Sequence, residues 1–230
     1  MKKLLISTLC VMSLLCSCTS DDVVIPPQIP GGDNPFNPLL IDIVDGNNGE
    51  KIAKNRLYAK EIKAYTSDLR SKKFSSLEEL TNYVDNQIEN IYEEARKRGE
   101  YTPKVTKEGE EYIQSLDYLD YTECNTIEDI QNLMISQLDN SDVPLNGDEY
   151  VAFMVAVETM DEAIELISEF EPSMSKEQIV KSAKEFLKCF LGTRGSALVG
   201  AAAGIVAGNV PGAVIGAFGG YLVGIATFCL

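Results

Sequence analysis

The sequence predicts an all-α protein, an acidic bundle of helices that ends in an apolar helical hairpin. Three observations lead to this fold class. Across residues 50–192, apolar residues recur at steps of three and four, which is the period of a helix face. Capping residues and prolines separate these segments, and no useful length of chain alternates apolar and polar residues as a strand does. Residues 196–230 contain no charged side chain.

The chain begins with the pattern of an export signal. Lys2 and Lys3 precede an apolar run, 4–15, that is too short for a stable transmembrane span. The following Leu15-Cys16-Ser17-Cys18 resembles the lipobox of bacterial lipoproteins, with an aliphatic residue three positions before the modified cysteine and a small residue just before it. This resemblance implies that residues 1–17 are a signal peptide and that Cys18 becomes the acylated N-terminus. Modification at Cys16 and an ordinary secretory signal are the alternatives.

The residues after Cys18 predict a location and a tether. Thr19-Ser20-Asp21-Asp22 resembles the acidic tag of Bacteroidota lipoproteins, which implies the outer membrane or the cell surface. More than one acyl chain on Cys18 would hold the protein firmly to membrane lipid. Residues 18–49 are rich in proline and glycine, as an extended tether is. The stretch 45–50 begins like a calcium loop but lacks the glycine and the glutamate that such a loop needs, so we interpret it as a turn.

The body, residues 50–192, is predicted to be a series of amphipathic helices. Their expected spans are 52–69, 77–95, 112–119, 127–138, 150–170 and 179–190. N-cap residues mark several starts: Ser75-Ser76 with Glu78-Glu79, then Asn125 or Thr126, then Asn146, then Ser175. Gly99, Pro103, Pro144 and Pro172 mark ends. The helix 150–170 is apolar through its middle, and we expect it to be the most buried.

Composition excludes several functions. The net charge of −15 opposes binding to nucleic acid, and no basic patch compensates for it. The chain has no histidine, which removes the Ser-His-Asp type of active site. Cys124, Cys189 and Cys229 lack the spacing of a metal site, and their disulfide pairing stays open, Cys124 with Cys189 being one pairing. We therefore expect no enzyme activity, no catalytic residue, no metal and no cofactor.

Tyrosines and aspartates between residues 112 and 121 form the one aromatic-acidic cluster of the body. As a surface patch, Tyr112, Tyr118 and Tyr121 could bind a cation or a carbohydrate. As a helix edge, they would cover the core while the carboxylates of Asp117 and Asp120 stay in water. We favour the second interpretation.

Small residues recur at every fourth position of the segment 193–230, which we treat as a separate unit. They are Ser196, Gly200, Gly204, Gly208, Gly212, Gly216, Gly220 and Gly224. Each glycine costs a helix about 1 kcal/mol relative to alanine, so a closely packed partner is required. Asn209 and Pro211 predict a turn, which gives two helices, 196–208 and 212–228, that present small residues to each other.

This segment resembles the glycine zippers of outer-membrane lipoproteins, the glycine-rich helices of two-peptide bacteriocins and the hydrophobic hairpin of pore-forming colicins. The resemblance implies a lipid-anchored envelope protein whose hairpin associates with membrane or self-assembles through the glycine stripe, with a bacteriocin- or toxin-like role as its more specific form. The alternative is a structural or binding lipoprotein whose hairpin packs into its own helical core.

Overall fold

The computed structural model describes residues 56–99, 105–141 and 145–230, which lie in one compact unit, Arg56–Leu230. The described residues form α-helices and 3-10 helices, and no strand occurs in these ranges, so the predicted all-α fold class is confirmed. The α-helices are α1 (Ala59–Ser71), α2 (Leu77–Lys97), α3 (Lys107–Ser115), α4 (Ile127–Asn140), α5 (Gly147–Ser168), α6 (Lys176–Lys184) and α7 (Lys188–Phe228). Two 3-10 helices, Leu116–Tyr118 and Pro172–Met174, lie between them. The predicted signal peptide, Cys18 and the tether lie outside the described residues.

Local capping sets four helix starts where the sequence predicted them, whereas α1 begins at Ala59 rather than at residue 52 and α3 at Lys107 rather than at residue 112. The side chains of Ser76, Thr126, Asn146 and Ser175 each accept a hydrogen bond from the backbone N–H three residues on. Thr126 and Asp129 complete a reciprocal capping box at the start of α4. Gly99, with φ +78°, ends α2 in the left-handed conformation that glycine adopts without strain.

The junction between α6 and α7 differs from the prediction of one helix through residue 190. α6 ends at Lys184 because Phe186 adopts a left-handed backbone conformation, with φ +50°. The N–H groups of Phe186 and Leu187 donate to the carbonyls of Ala183 and Ser182, at 3.1 and 2.9 Å, which closes the helix end. α7 then begins at Lys188, well before the predicted start at Ser196.

The long apolar helix α7 occupies the centre of the unit. α5 and α2 make the most extensive contacts with it. α5 is buried over its whole middle, residues 152–160, as predicted for the most apolar body helix. From α1, the Tyr65 ring meets Phe218 edge-on, with centroids 5.2 Å apart. Helices α1, α2, α5 and α6 of the body therefore pack against α7.

Candidate functional site, the buried apolar hairpin

A break divides α7 into two arms, a first arm (188–207) and a second arm (210–228). Gly208 (φ −146°, ψ 20°) and Asn209 (φ 55°, ψ −152°) have non-helical backbone angles. Asn209 lies in the break, as predicted. Pro211 does not lie in the break but inside the helix, in the first turn of the second arm. Proline is tolerated there because a backbone N–H in the first turn of a helix has no acceptor within the helix. The second arm therefore begins before the predicted Gly212.

Glycines of the two arms face each other, and the backbones of the arms are in contact at these positions. A Cβ atom added to Gly200 would lie within 3.0 Å of the Gly216 carbonyl oxygen, and one added to Gly204 would meet the Gly212 carbonyl in the same way. Nearer the open end, Gly220 lies against the Ser196 backbone and Gly224 against Thr193. Only glycine lets the two backbones come this close. Each arm is therefore the closely packed partner that the glycines of the other arm require.

Gly208 is the member of the predicted stripe that faces elsewhere. A Cβ atom at this position would lie 3.3 Å from Cγ2 of Ile91, on α2. The hairpin tip, defined here as residues 206–211, therefore contacts α2 through Gly208. Val206, Asn209 and Pro211 of the tip are exposed.

A disulfide closes the opposite end of the hairpin. Cys189 and Cys229 are bonded, with their Cα atoms 4.6 Å apart. Cys124 is a free, buried cysteine, so the Cys124–Cys189 pairing that the sequence left open does not form. Burial raises the pKa of the Cys124 thiol. Spacing alone could not identify the partners, because the antiparallel arms bring together cysteines separated by 40 residues.

A buried arginine fixes the base of the first arm to the body. Arg194 is 2% exposed, and its guanidinium donates to the Tyr121 hydroxyl at 3.1 Å and pairs with the carboxylate of Asp117. Its Nε has no hydrogen-bond partner within the described ranges. Because a buried charge is costly without a partner, the ion pair holds Arg194 beside the 3-10 helix Leu116–Tyr118.

Further hydrogen bonds attach the arms to the body. Arg98 donates to the Ala207 carbonyl at 2.7 Å, at the end of the first arm, where a helix leaves carbonyls unpaired. The Tyr221 hydroxyl of the second arm donates to the Ala156 carbonyl of α5 at 2.9 Å. No sequence pattern indicated either contact, because each joins residues far apart in the chain.

The tyrosine cluster is not a surface patch. Tyr112 and Tyr121 are fully buried, and their hydroxyls donate to the carbonyls of Met134 and Leu116, at 3.1 and 2.9 Å. Tyr118 is 89% exposed and stands apart from them. Tyr112 and Tyr121 therefore belong to the core, as the favoured interpretation expected, whereas Tyr118 does not.

The described ranges contain no group of three or more histidine, cysteine, aspartate or glutamate side chains that could hold a metal ion. α7 is the one described helix long and apolar enough to cross a membrane, a property that core helices of water-soluble proteins share. The chain matches no protein-family model, no curated protein and no solved structure. The hairpin itself is therefore the feature from which a function can be argued.

Proposed function

We propose that this protein is a non-enzymatic, lipid-anchored protein of the cell envelope that holds an apolar hairpin in its helical body and inserts it into a membrane, in the manner of a bacteriocin or toxin. One observation carries the proposal. The hairpin is closed upon itself, by glycine contacts between its arms and by the Cys189–Cys229 bond at its base. A unit whose closest contacts are internal keeps them when its surroundings change from protein to lipid.

The dimensions and chemistry of the hairpin suit a bilayer. From Arg194 to the tip, the first arm is about 20 Å long by the helix rise, so the part of the hairpin beyond the buried charge reaches well into a hydrocarbon core about 30 Å thick without crossing it. Residues 196–230 carry no charged side chain, and α7 is apolar on all sides. Lipid can replace the apolar contacts of α5 and α2, and small residues are the usual contacts between membrane helices.

The glycine stripe supports pairing of the arms rather than of separate copies. Gly200 and Gly204 already contact Gly216 and Gly212, so this face is covered in the folded chain. Self-association, if it accompanies insertion, would use the outer faces of the hairpin, which now contact the body.

Few polar contacts must break for the hairpin to leave. They include the hydrogen bonds from Arg98 to the Ala207 carbonyl and from Tyr221 to the Ala156 carbonyl, and at the base the Phe190 N–H also donates to the Ser182 hydroxyl at 3.1 Å. The base differs, because Arg194 carries a buried charge that is costly to place in hydrocarbon. In the proposed inserted state, the base stays at the membrane surface.

The proposed location rests on two features. The lipobox resemblance at Cys18 supports a lipid anchor. The Cys189–Cys229 disulfide supports an oxidising compartment such as the periplasm or the cell surface.

A disulfide between the hairpin and the body tests the proposal. Ile91→Cys with Gly208→Cys would join α2 to the tip, since a Cβ at Gly208 lies 3.3 Å from the Ile91 side chain. The full chain is added to phosphatidylethanolamine–phosphatidylcholine vesicles that contain a self-quenched dye. We expect the wild type to release dye and the oxidised double variant to release little.

The matched control carries Ile91→Ser and Gly208→Ser, which make the same cavity and side-chain changes without the cross-link. We expect this control to release dye like the wild type. Equal release by the cross-linked and serine variants would contradict insertion of the hairpin.

The second candidate is a structural or binding lipoprotein whose hairpin remains a permanent core. The ion pair of buried Arg194 with half-exposed Asp117 favours it, since such a pair ties the hairpin base to the body. This function predicts no dye release by the wild type and full protease protection of residues 196–230 with vesicles present. Removal of the anchor by Cys18→Ala would then also abolish membrane binding.

A further inference from the structure

A cleft separate from the hairpin opens where the start of α1 meets α4, α5 and α6. Its volume is about 480 Å³, within the range of small-molecule sites, and its lining includes no residue of α7. Buried apolar side chains of Ile62, Ile127 and Val180 contribute to its wall. Charged side chains supply most of the rest, so the cleft suits a polar ligand with an apolar part.

Arg56 offers this cleft a hydrogen-bond donor that the protein does not use. Its Nη2 donates to Oε1 of Gln131 at 3.1 Å and to Oδ1 of Asn132 at 3.2 Å, which orients the guanidinium. Gln131 is fixed in turn, because its Nε2 donates to the Val157 carbonyl at 2.8 Å. Nη1 of Arg56 is buried, yet it has no hydrogen-bond partner in the part of the chain that the structure describes. A buried unpaired donor is costly, and an oriented guanidinium matches a carboxylate.

Several other charged groups of the cleft already have partners within the protein. Lys176 pairs with Asp161 at 2.9 Å, and Glu158 accepts the N–H groups of Leu57 and Tyr58, both at 2.9 Å. These groups stabilise the fold.

Lys63 and Glu128 also line the cleft, and neither makes an ion pair or hydrogen bond with the described residues. The cleft therefore has an ammonium group on Lys63 and one guanidinium nitrogen, Nη1 of Arg56, that have no partner among the described residues, and the carboxylate of Glu128 has none there either.

We propose that the cleft binds a zwitterion, an amino acid or a short peptide with both termini free. Arg56 and Lys63 receive its carboxylate, Glu128 receives its ammonium group, and the apolar wall contacts its side chains. Phosphate and polyanions fit poorly, because Glu158, Asp161 and Glu128 line the same cleft and the chain carries a net charge of −15. This inference is independent of membrane insertion.

Isothermal titration of the full chain with the dipeptide alanyl-alanine tests the proposal. N-acetyl-alanyl-alanine, alanyl-alanine amide and L-alanine are titrated in parallel. We expect the dipeptide to bind, and each blocked form to bind at least tenfold more weakly, because each lacks one terminal charge. Tighter binding of L-alanine than of the dipeptide would support the amino acid as ligand, and the reverse would support a peptide.

Variants then identify the residues. Arg56→Gln should weaken dipeptide binding at least tenfold and Lys63→Gln severalfold, and the second variant serves if the first does not fold. Arg96→Gln is the matched control, since Arg96 is exposed on α2 and does not line the cleft. Absence of binding at millimolar dipeptide, equal binding of the blocked forms, or unchanged binding by folded Arg56→Gln would each overturn the proposal.

Discussion

Two alanine substitutions in the first arm should have opposite effects on stability. Gly195 and Gly200 lie in the same helical arm. A Cβ added at Gly195 would meet no atom within 4 Å, whereas one added at Gly200 would lie within 3.0 Å of the Gly216 carbonyl oxygen. The chemical change is identical, so the difference isolates the contact between the arms.

The magnitudes follow from two opposing terms. Alanine in place of glycine stabilises a helix interior by about 1 kcal/mol, and Gly195→Ala should show this gain in full. At Gly200 the added methyl group overpacks the interface, which costs about 1–3 kcal/mol. We expect the upper end of this range, because the opposing atom belongs to the backbone and no rotamer change can move it. The net loss for Gly200→Ala is then about 2 kcal/mol.

Urea unfolding of the full chain, followed by far-UV circular dichroism with the disulfide intact, measures both free energies of unfolding. Thermal unfolding should give a midpoint about 2–4 °C higher for Gly195→Ala and about 4–8 °C lower for Gly200→Ala, by the scaling for chains of this size. A Gly200→Ala variant as stable as Gly195→Ala would refute the backbone contact between the arms.

Three further predictions concern the ends of helices and of the hairpin. Cys189→Ser with Cys229→Ser opens a loop of 40 residues, so the free energy of unfolding measured in urea should fall by about 4 kcal/mol; an unchanged value under oxidising conditions would contradict the pairing. Phe186→Gly removes a bulky residue from a left-handed conformation that costs it about 1–2 kcal/mol, and the Phe186 side chain is 42% exposed. Thermal unfolding should therefore show that the variant is as stable as the wild type or more stable. A large loss of stability would show that the contacts of the Phe186 ring outweigh the backbone strain. Hydrogen bonds from Asn125 and Thr126 lower the pKa of Asp129 below its ordinary 3.8, so Asp129→Asn should be less stable than the wild type at pH 7. The two proteins should converge as the pH falls through that lowered pKa, and a pH-independent difference would contradict this origin.

Local chemistry made much of the fold predictable from sequence. Ser76, Thr126, Asn146 and Ser175 cap helices through hydrogen bonds that span three residues, so short patterns suffice to locate them. The fourfold spacing of glycine likewise indicated a closely packed partner, since the propensity cost requires one, and the turn predicted at Asn209 and Pro211 indicated that each arm could be the partner of the other.

Features that depend on unusual local conformation or on distant residues were not predictable. The end of α6 depends on a left-handed Phe186, a conformation that phenylalanine rarely adopts. Asp117 and Arg194 pair across 77 residues, and no spacing relates them. The apolar pattern of α7 also does not distinguish a protein environment from a lipid environment, because a helix that is apolar on all sides suits both.

Entry of the hairpin into a membrane would change the fluorescence of a probe at its tip. The chain contains no tryptophan, so Val206→Trp introduces a single fluorophore at a tip position that is 39% exposed. The measurement uses the Cys18→Ala form, without the predicted acyl anchor, and vesicles that contain brominated lipid. Tyr118→Trp, at a position 89% exposed on the body, is the control.

We expect the emission of Val206→Trp to shift to the blue and to be quenched by the brominated lipid. The emission of the Tyr118→Trp control should not change. Unshifted and unquenched emission from Val206→Trp, in a protein that remains folded, would contradict insertion and favour a hairpin that stays within the helical body.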